Sequence, residues 1–338
     1  MLYDNLELHN VAELVEVPGR PGLLLQRVPE KVRQQLRPAT QAVYRQAAGC
    51  EIRCVSGGGT VKLTLMSYSG PVQAYSYAGD FPVGTHTIGE EPTTVELTLP
   101  EPGFLAMDAL DRNELTFASS VWRLLFPKGE IHILAIEGES IRPPRADEVP
   151  SRRYLAYGTS ITQGIAATHP ALTYVKQVGW RLRADVINLG ASGTAFCEPA
   201  LADYLAARDD WDFASMCLSV NMLNQGVSAG EFEARATYLV DSVARGHAGK
   251  PLVCIGLFPS FHDVGLRWPG KDSVSTADEY RAVLQGIVQR LGLPHVQYVD
   301  GRELLTSMNG LIHDLLHPND YGMMEIGEKL AAILRQKL

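Results

Sequence analysis

The sequence predicts two architectures in one chain: an all-β sandwich or jelly roll, then a doubly wound α/β layer built on a parallel sheet. Three observations carry this expectation. The first part of the chain alternates apolar and polar residues in short runs, whereas the rest alternates short apolar runs with helical stretches. A proline- and charge-rich stretch separates the two rhythms.

In the first part, the segments CEIRCVSG, TVKLTLMSY, VQAYSYAG, TTVELTLP, SVWRLLFP and EIHILAIEG read as strands. Turn signals lie between them, among them Gly57-Gly58-Gly59 and Pro127-Lys128-Gly129, and short strands with such punctuation point to an antiparallel sandwich. Arg142 to Arg153 is poor in apolar residues and reads as a linker, which divides the chain into domains 1–145 and 146–338. After it come strand-like runs at 154–158, 185–190, 216–221, 252–258 and 296–300, rich in Val, Leu and Ile as a sheet covered on both faces requires. The stretches 171–184, 229–246, 277–292 and 323–338 carry apolar residues at helical spacing. Repeated βα units with right-handed crossovers give the doubly wound layer.

A length of 338 residues suits two domains, and 46% hydrophobic with 20% charged residues is a globular composition. The formal net charge of -8 disfavours binding to a phosphate backbone, so no nucleic-acid partner is expected. No apolar run reaches the roughly 20 residues that span a bilayer. The N-terminus lacks a basic segment followed by an apolar one, so a cytoplasmic protein with no membrane partner is expected. Cys50 and Cys54 would lie about 13 Å apart along one strand, too far for a disulfide. None of the five cysteines has metal or redox spacing, and all read as buried thiols.

Ligands of open parallel sheets bind beyond the carboxyl ends of the strands. The first strand is followed there by Gly158-Thr159-Ser160, the second by Gly190-Ala191-Ser192-Gly193, and the third ends on Asn221. The last is followed, after a loop, by Asp314-Leu315-Leu316-His317-Pro318. These residues assemble into a nucleophilic mechanism. Ser160 needs a base to take its proton, His317 can be that base, and Asp314 can hold the other ring nitrogen. An oxyanion needs hydrogen-bond donors, which the Ser160 amide, the Gly190 amide and the Asn221 side chain can supply. Asn224 competes with Asn221 for that role.

At these positions the sequence resembles the SGNH/GDSL hydrolases, named for Ser, Gly, Asn and His in four blocks. The blocks here are YGTSITQG (157–164), INLGASG (187–193), SVNM around Asn221, and DLLHPNDYG (314–322). The first block together with an N-terminal β domain resembles a two-domain subgroup that includes carbohydrate and small-ester esterases and some acyltransferases. The resemblance implies a flavodoxin-like strand order, metal-free chemistry without cofactors, and an acyl-enzyme on Ser160. Thr159 stands where the family name has Asp, and Val220 stands where a Gly usually precedes the third-block Asn.

The expected activity is therefore a serine esterase acting on small acyl esters, acetyl among them, of carbohydrates or similar hydroxylated molecules. The alternatives are an acyltransferase using the same intermediate and a binding module on an inactive hydrolase fold; intact Ser160, Asp314 and His317 argue against the last. His313, Asp314 and His317 also have metal-like proximity, but Pro318 breaks the helix that His at i and i+4 would need. Tyr68, Tyr75 and Tyr77 read as sandwich residues more readily than as a sugar platform, and Trp268 lies in a loop leaving a carboxyl end.

Overall fold

The structure, a computed structural model, describes residues 1–98, 114–267, 270 and 274–338. Two compact units emerge. The first comprises Met1–Arg33, Tyr44–Ser151 and Arg183–Asp185; the second comprises Gln34–Val43, Arg152–Leu182 and Val186–Leu338. Trp268 lies outside the described residues.

The strands of the first unit are β1 (Leu2–Tyr3), β2 (Leu6–His9), β3 (Glu13–Val17), β4 (Arg20–Gln26), β5 (Glu51–Ser56), β6 (Val61–Ser67), β7 (Val72–Ala78), β8 (Phe81–Ile88), β9 (Thr93–Leu97), β10 (Val121–Leu125), β11 (Ile131–Glu137) and β12 (Ile141–Arg142). They form two antiparallel sheets, one in the order β1-β2-β5-β10-β7-β8 with β12 added to β5, the other β3-β4-β11-β6-β9. The core lies between them: Leu8, Ile52, Ala74 and Leu124 from one sheet meet Leu63, Leu65, Val95 and Ile133 from the other. This is the sandwich that the alternating runs imply. Tyr77 is buried and Tyr68 half-buried, the latter against Arg20 and His132, so both serve the sandwich.

Two features of this unit escape the pattern of alternation. Helix α1 (Glu30–Arg33) interrupts the β rhythm. The stretch read as a linker is a folded part of the unit: β12 pairs with β5, the Arg142 guanidinium donates to both Glu148 oxygens at 2.7 and 2.6 Å, and the Glu148 carbonyl accepts from Ala118 N–H. Charge and proline suggested solvent, but here the charges satisfy each other.

On the face of the first sheet turned away from the core, register aligns Glu7, Arg53, Arg123 and Tyr77 in one row across β2, β5, β10 and β7. This row is buried. Glu51 accepts from Arg53 Nε and from Arg123 Nε and Nη2, each at 2.8 Å. Both oxygens of Asp185 accept from Arg53 at 2.7 Å, and the Phe117 ring lies against both guanidinium groups. Burial alone would push the Asp185 carboxyl up; the charge of Arg53 reverses this and holds it well below the usual carboxylate range.

The second unit carries β13 (Arg152–Gly158), β14 from its third residue (strand Ala184–Gly190), β15 (Phe213–Cys217), β16 (Leu252–Ile255) and β17 (Val296–Val299). Their order is β14-β13-β15-β16-β17, the flavodoxin-like arrangement, with parallel pairing from β13 through β17. The helices are α2 (Pro38–Tyr44, in this unit to Val43), α3 (Ser160–Gln163), α4 (Tyr174–Leu182), α5 (Pro199–Ala206), α6 (Val220–Asn224), α7 (Ala229–Gly246), α8 (Ala277–Leu291), α9 (Gly301–Leu304) and α10 (Asp320–Arg335). Local chemistry sets their ends. Thr276 and Glu279 form a reciprocal capping box at α8, and Asn319 caps α10 by accepting from Gly322 N–H at 3.1 Å. One strand differs from expectation. The run 216–221 is strand only to Cys217, and α6 begins at Val220 after its N-cap Ser219, so Asn221 sits on a helix rather than at a strand end. Among the described residues no helix is long and apolar enough to cross a membrane.

Candidate active site

The doubly wound order reverses at β13, which has β14 on one side and β15 on the other. A crevice opens at such a reversal, beyond the carboxyl end of the strand. Ser160 stands there, as the first residue of α3, directly after β13. Its helix is a single turn, with Thr159 as the N-cap and Gly164 as the left-handed C-cap. Thr159 accepts from Ile161 N–H, so the residue in place of the family Asp still caps the helix that presents the serine.

His317 arrives on the loop before α10. The loop is closed on itself: Ile312 N–H donates to the His317 carbonyl at 2.9 Å and Leu315 N–H to the Ile312 carbonyl at 3.0 Å. Leu315 takes a left-handed φ of 52°, an uncommon conformation for a side chain of this kind, and the turn brings Asp314 back under the imidazole. His317 Nδ1 and Asp314 Oδ2 are 2.6 Å apart, while His317 Nε2 and Ser160 Oγ are 2.8 Å apart. The second Asp314 oxygen accepts from the Leu316 and His317 amides at 2.9 and 3.0 Å. Burial pushes this carboxyl up, but the hydrogen bonds from the His317 ring and the two amides outweigh it and hold it below the usual carboxylate range. Asp314 is therefore an acceptor at neutral pH, which fixes the proton of His317 on Nδ1 and leaves Nε2 to accept from Ser160.

With both ring nitrogens of His317 engaged, the side chain has none left for a metal, and His313 points to an exposed surface. Glu7, His9 and Asp185 have metal-like spacing, but the Arg53 guanidinium already takes both oxygens of Asp185. The five cysteines are buried and none is in a disulfide, and burial pushes the thiols of Cys54, Cys197, Cys217 and Cys254 up to about 12. These four thiols are therefore disfavoured as thiolates at neutral pH.

The three expected oxyanion donors fare differently. The Ser160 amide is the first of α3 and has no partner within the helix. Asn221 is buried, and its Oδ1 accepts from Ala195 N–H at 3.2 Å. An amide N–H can only donate, so the oxygen of Asn221 is fixed toward Ala195 and its NH2 is the end left to give. Gly190 is placed otherwise than the sequence suggested. Its N–H is committed to Asn188 Oδ1 at 2.9 Å, and a Cβ there would lie 2.3 Å from Gln163 N. The close approach that requires glycine is to helix α3, not to a ligand. Gly193, in the same sequence block, is exposed, has φ +68° with open space around it, and sits in a turn closed by Thr194 N–H donating to the Ala191 carbonyl. Sequence reasoning passed over it, although glycine at the third position of such a turn is a recognisable signal. Asn224 is also engaged, through its Oδ1, by His262 Nε2 at 2.7 Å.

Residues 151–335, more than half of the chain, match the GDSL-like lipase/acylhydrolase family. The chain belongs to that family. It is accordingly a carboxylic ester hydrolase, with its family region beginning at β13 and ending in α10. No curated protein sequence matches it. Several solved structures share the fold of this GDSL-like hydrolase. Salicylyl-acyltransferase SsfX3 from a tetracycline biosynthetic pathway is 16% identical over 97% of this chain and 95% of that one, with a TM-score of 0.79. A family two carbohydrate esterase from Clostridium thermocellum in complex with cellohexaose is 17% identical over 86% and 94%, with a TM-score of 0.58. An acetyl xylan esterase from the rumen bacterium Butyrivibrio proteoclasticus is 11% identical over 98% of each chain, with a TM-score of 0.57.

For the GDSL-like hydrolase, Asn221→Ala is expected to lower kcat by about a hundredfold to a thousandfold, the usual worth of one oxyanion donor. KM should move little, because the charge exists only in the transition state. Steady-state kinetics on an activated acetyl ester check this; the same loss in Asn224→Ala with none in Asn221→Ala would reverse the assignment.

Proposed function

We propose that the protein is a serine esterase that forms an acyl-enzyme on Ser160 and releases small acyl groups, acetyl among them, from carbohydrates or similar hydroxylated compounds. The observation that carries this reading is the unbroken chain from Asp314 through His317 to Ser160, at 2.6 and 2.8 Å. Ser160 Oγ attacks the ester carbonyl carbon while its proton passes to His317 Nε2, and the carbonyl electron pair moves onto oxygen. The Ser160 amide, the Asn221 NH2 and the Gly193 amide are the proposed donors to that oxygen; Gly193 replaces Gly190. As the intermediate collapses, the bond to the alcohol oxygen breaks and His317 returns the proton to it. Water, deprotonated by His317, then repeats the attack and frees Ser160.

A narrow apolar hollow is lined by Thr159 and Ile161, the sequence neighbours of Ser160, by Leu316 next to His317, and by Cys217, Val220 and Phe258, and it is the place proposed for a short acyl group. It has room for about one water-sized group, which is also the size of a methyl. Transfer to an alcohol acceptor in place of water is the second reading, favoured by the likeness to the salicylyl-acyltransferase along nearly the whole of both chains.

The test is mass spectrometry of protein quenched during turnover of acetyl, butyryl and octanoyl esters, with and without added alcohols. An acetyl adduct on the Ser160 peptide, with acetic acid as the released product, is the expected result. An adduct on another residue, or turnover that survives in Ser160→Ala, would sink the acyl-enzyme. A new ester formed with the added alcohol in preference to the free acid would replace the esterase reading by the transferase one.

A further inference from the structure

Beyond Asn221, helix α6 carries a second buried asparagine that the reaction does not use. Asn221 and Asn224 are three residues apart, so they share one face of the helix with a rise of about 4.5 Å between them. Asn224 is only 7% exposed. Its Oδ1 lies 2.7 Å from His262 Nε2, and since the oxygen can only accept, the ring donates from Nε2. Two groups remain: the Asn224 NH2, a donor, and His262 Nδ1, an acceptor. Neither has a hydrogen-bond partner among the described residues.

The pair is held rigidly. His262 lies in the 3-10 turn Phe261–Val264 that follows β16. Phe261 N–H donates to the Leu315 carbonyl at 2.7 Å, which ties this turn to the loop that carries His317. Asp263, the next residue, accepts from Ser260 N–H at 2.9 Å and from Arg281 Nη1 and Nη2 at 2.6 and 3.0 Å. Burial holds the His262 imidazole below its ordinary pKa, so the ring is neutral at pH 7 and Nδ1 keeps its lone pair.

A neutral donor beside a neutral acceptor is the complement of a hydroxyl group, which accepts with its oxygen and donates its one proton. An anion would meet the Nδ1 lone pair, and an apolar group would leave both unpaired at a cost. We infer that Asn224 and His262 form a subsite that binds a hydroxyl of the substrate's alcohol portion, on the carboxyl edge of the sheet that also carries Ser160 and Asn221. This rests on the proposed esterase reading and gives its hydroxylated substrate class a physical reader.

The test compares kcat/KM for a monoacetylated monosaccharide with that for p-nitrophenyl acetate, which has no hydroxyl. In Asn224→Ala and His262→Phe the sugar-to-phenyl ratio should fall about tenfold or more, the loss of about one hydrogen bond to a neutral partner. His262→Gln keeps one donor and one acceptor and should restore much of it. Asn221→Ala should depress both esters together and leave the ratio in place. An unchanged ratio, within about twofold, in both Asn224→Ala and His262→Phe overturns the subsite and leaves the pair as a brace for α6. If the wild type hydrolyses neither ester, it is the esterase reading that fails. The subsite is then judged by calorimetric binding of the sugar acetate to the Ser160→Ala protein, which Asn224→Ala should weaken about tenfold; equal binding overturns it.

Discussion

Ser160→Ala is expected to leave a folded protein whose kcat is lower by about four to six orders of magnitude. In the proposed mechanism the hydroxyl is the only group of Ser160, His317 and Asp314 that bonds to the substrate, so nothing else there would replace it. The side chain is small and almost covered, and its loss leaves α3 with its Thr159 cap and Gly164 terminus. Thermal unfolding should therefore stay near that of the wild type. The proposed mechanism uses Ser160, His317 and Asp314 in series, so adding His317→Ala to Ser160→Ala should cost little more, whereas independent contributions would multiply. A serine-directed phosphonate should label the wild type at Ser160. Full activity in the alanine variant, or labelling at another residue, would remove the basis of the mechanism.

Asp185→Asn is expected to destabilise the protein by about 3–5 kcal/mol, the range for breaking a buried ion pair from one side. The cost comes from the partner left behind. Arg53 is fully buried and would keep Glu51, which it shares with Arg123, while losing two charge-assisted bonds at 2.7 Å. Urea unfolding followed by tryptophan fluorescence measures it. Replacing both partners, with Arg53→Met and Asp185→Leu together, should recover much of the loss, since no charge is then stranded. The pH dependence has a definite sign. The Asp185 carboxyl is depressed in the folded state, so its contribution is complete above the unfolded value of about 3.9 and fades as pH falls toward the folded one. The gap between wild type and Asp185→Asn should therefore be widest at neutral pH and narrow below about pH 4. A gap independent of pH would mean that the substitution acts through packing instead.

Much of this was legible in the sequence, because periodicity and local chemistry decide it. The helix over 229–246 has the bounds its apolar spacing implies, and the grouping of Ser160, Asp314 and His317 could be read from the residue types that follow the first and last strands. What was illegible depends on partners far away in the chain. Glycine at 190 signals a close approach without saying to what; the answer, Gln163 on α3, is a tertiary fact. Asn221 and Asn224 are alike in sequence, and only the groups that meet their oxygens, an amide of Ala195 and a ring of His262, separate them. The charged stretch from Arg142 resembled a linker because composition does not reveal that Arg142 and Glu148 satisfy each other. Helix α5 is only eight residues long, too short for periodicity to stand out.

The exchange of short segments between the two units has a consequence for the order in which the chain can be completed. Synthesis runs from residue 1 upward, yet the first unit counts Arg183–Asp185 among its members and the second counts Gln34–Val43. The nascent sandwich thus leaves the ribosome with Arg53 and Glu51 in place but without the carboxylate that takes both ends of Arg53. That carboxylate arrives only after Ser160 and the first strand of the second unit have been made. Residues 34–43, made early, must wait for the hydrolase sheet. No single cleavage can divide the chain into two complete units, because each half would lack a piece carried by the other.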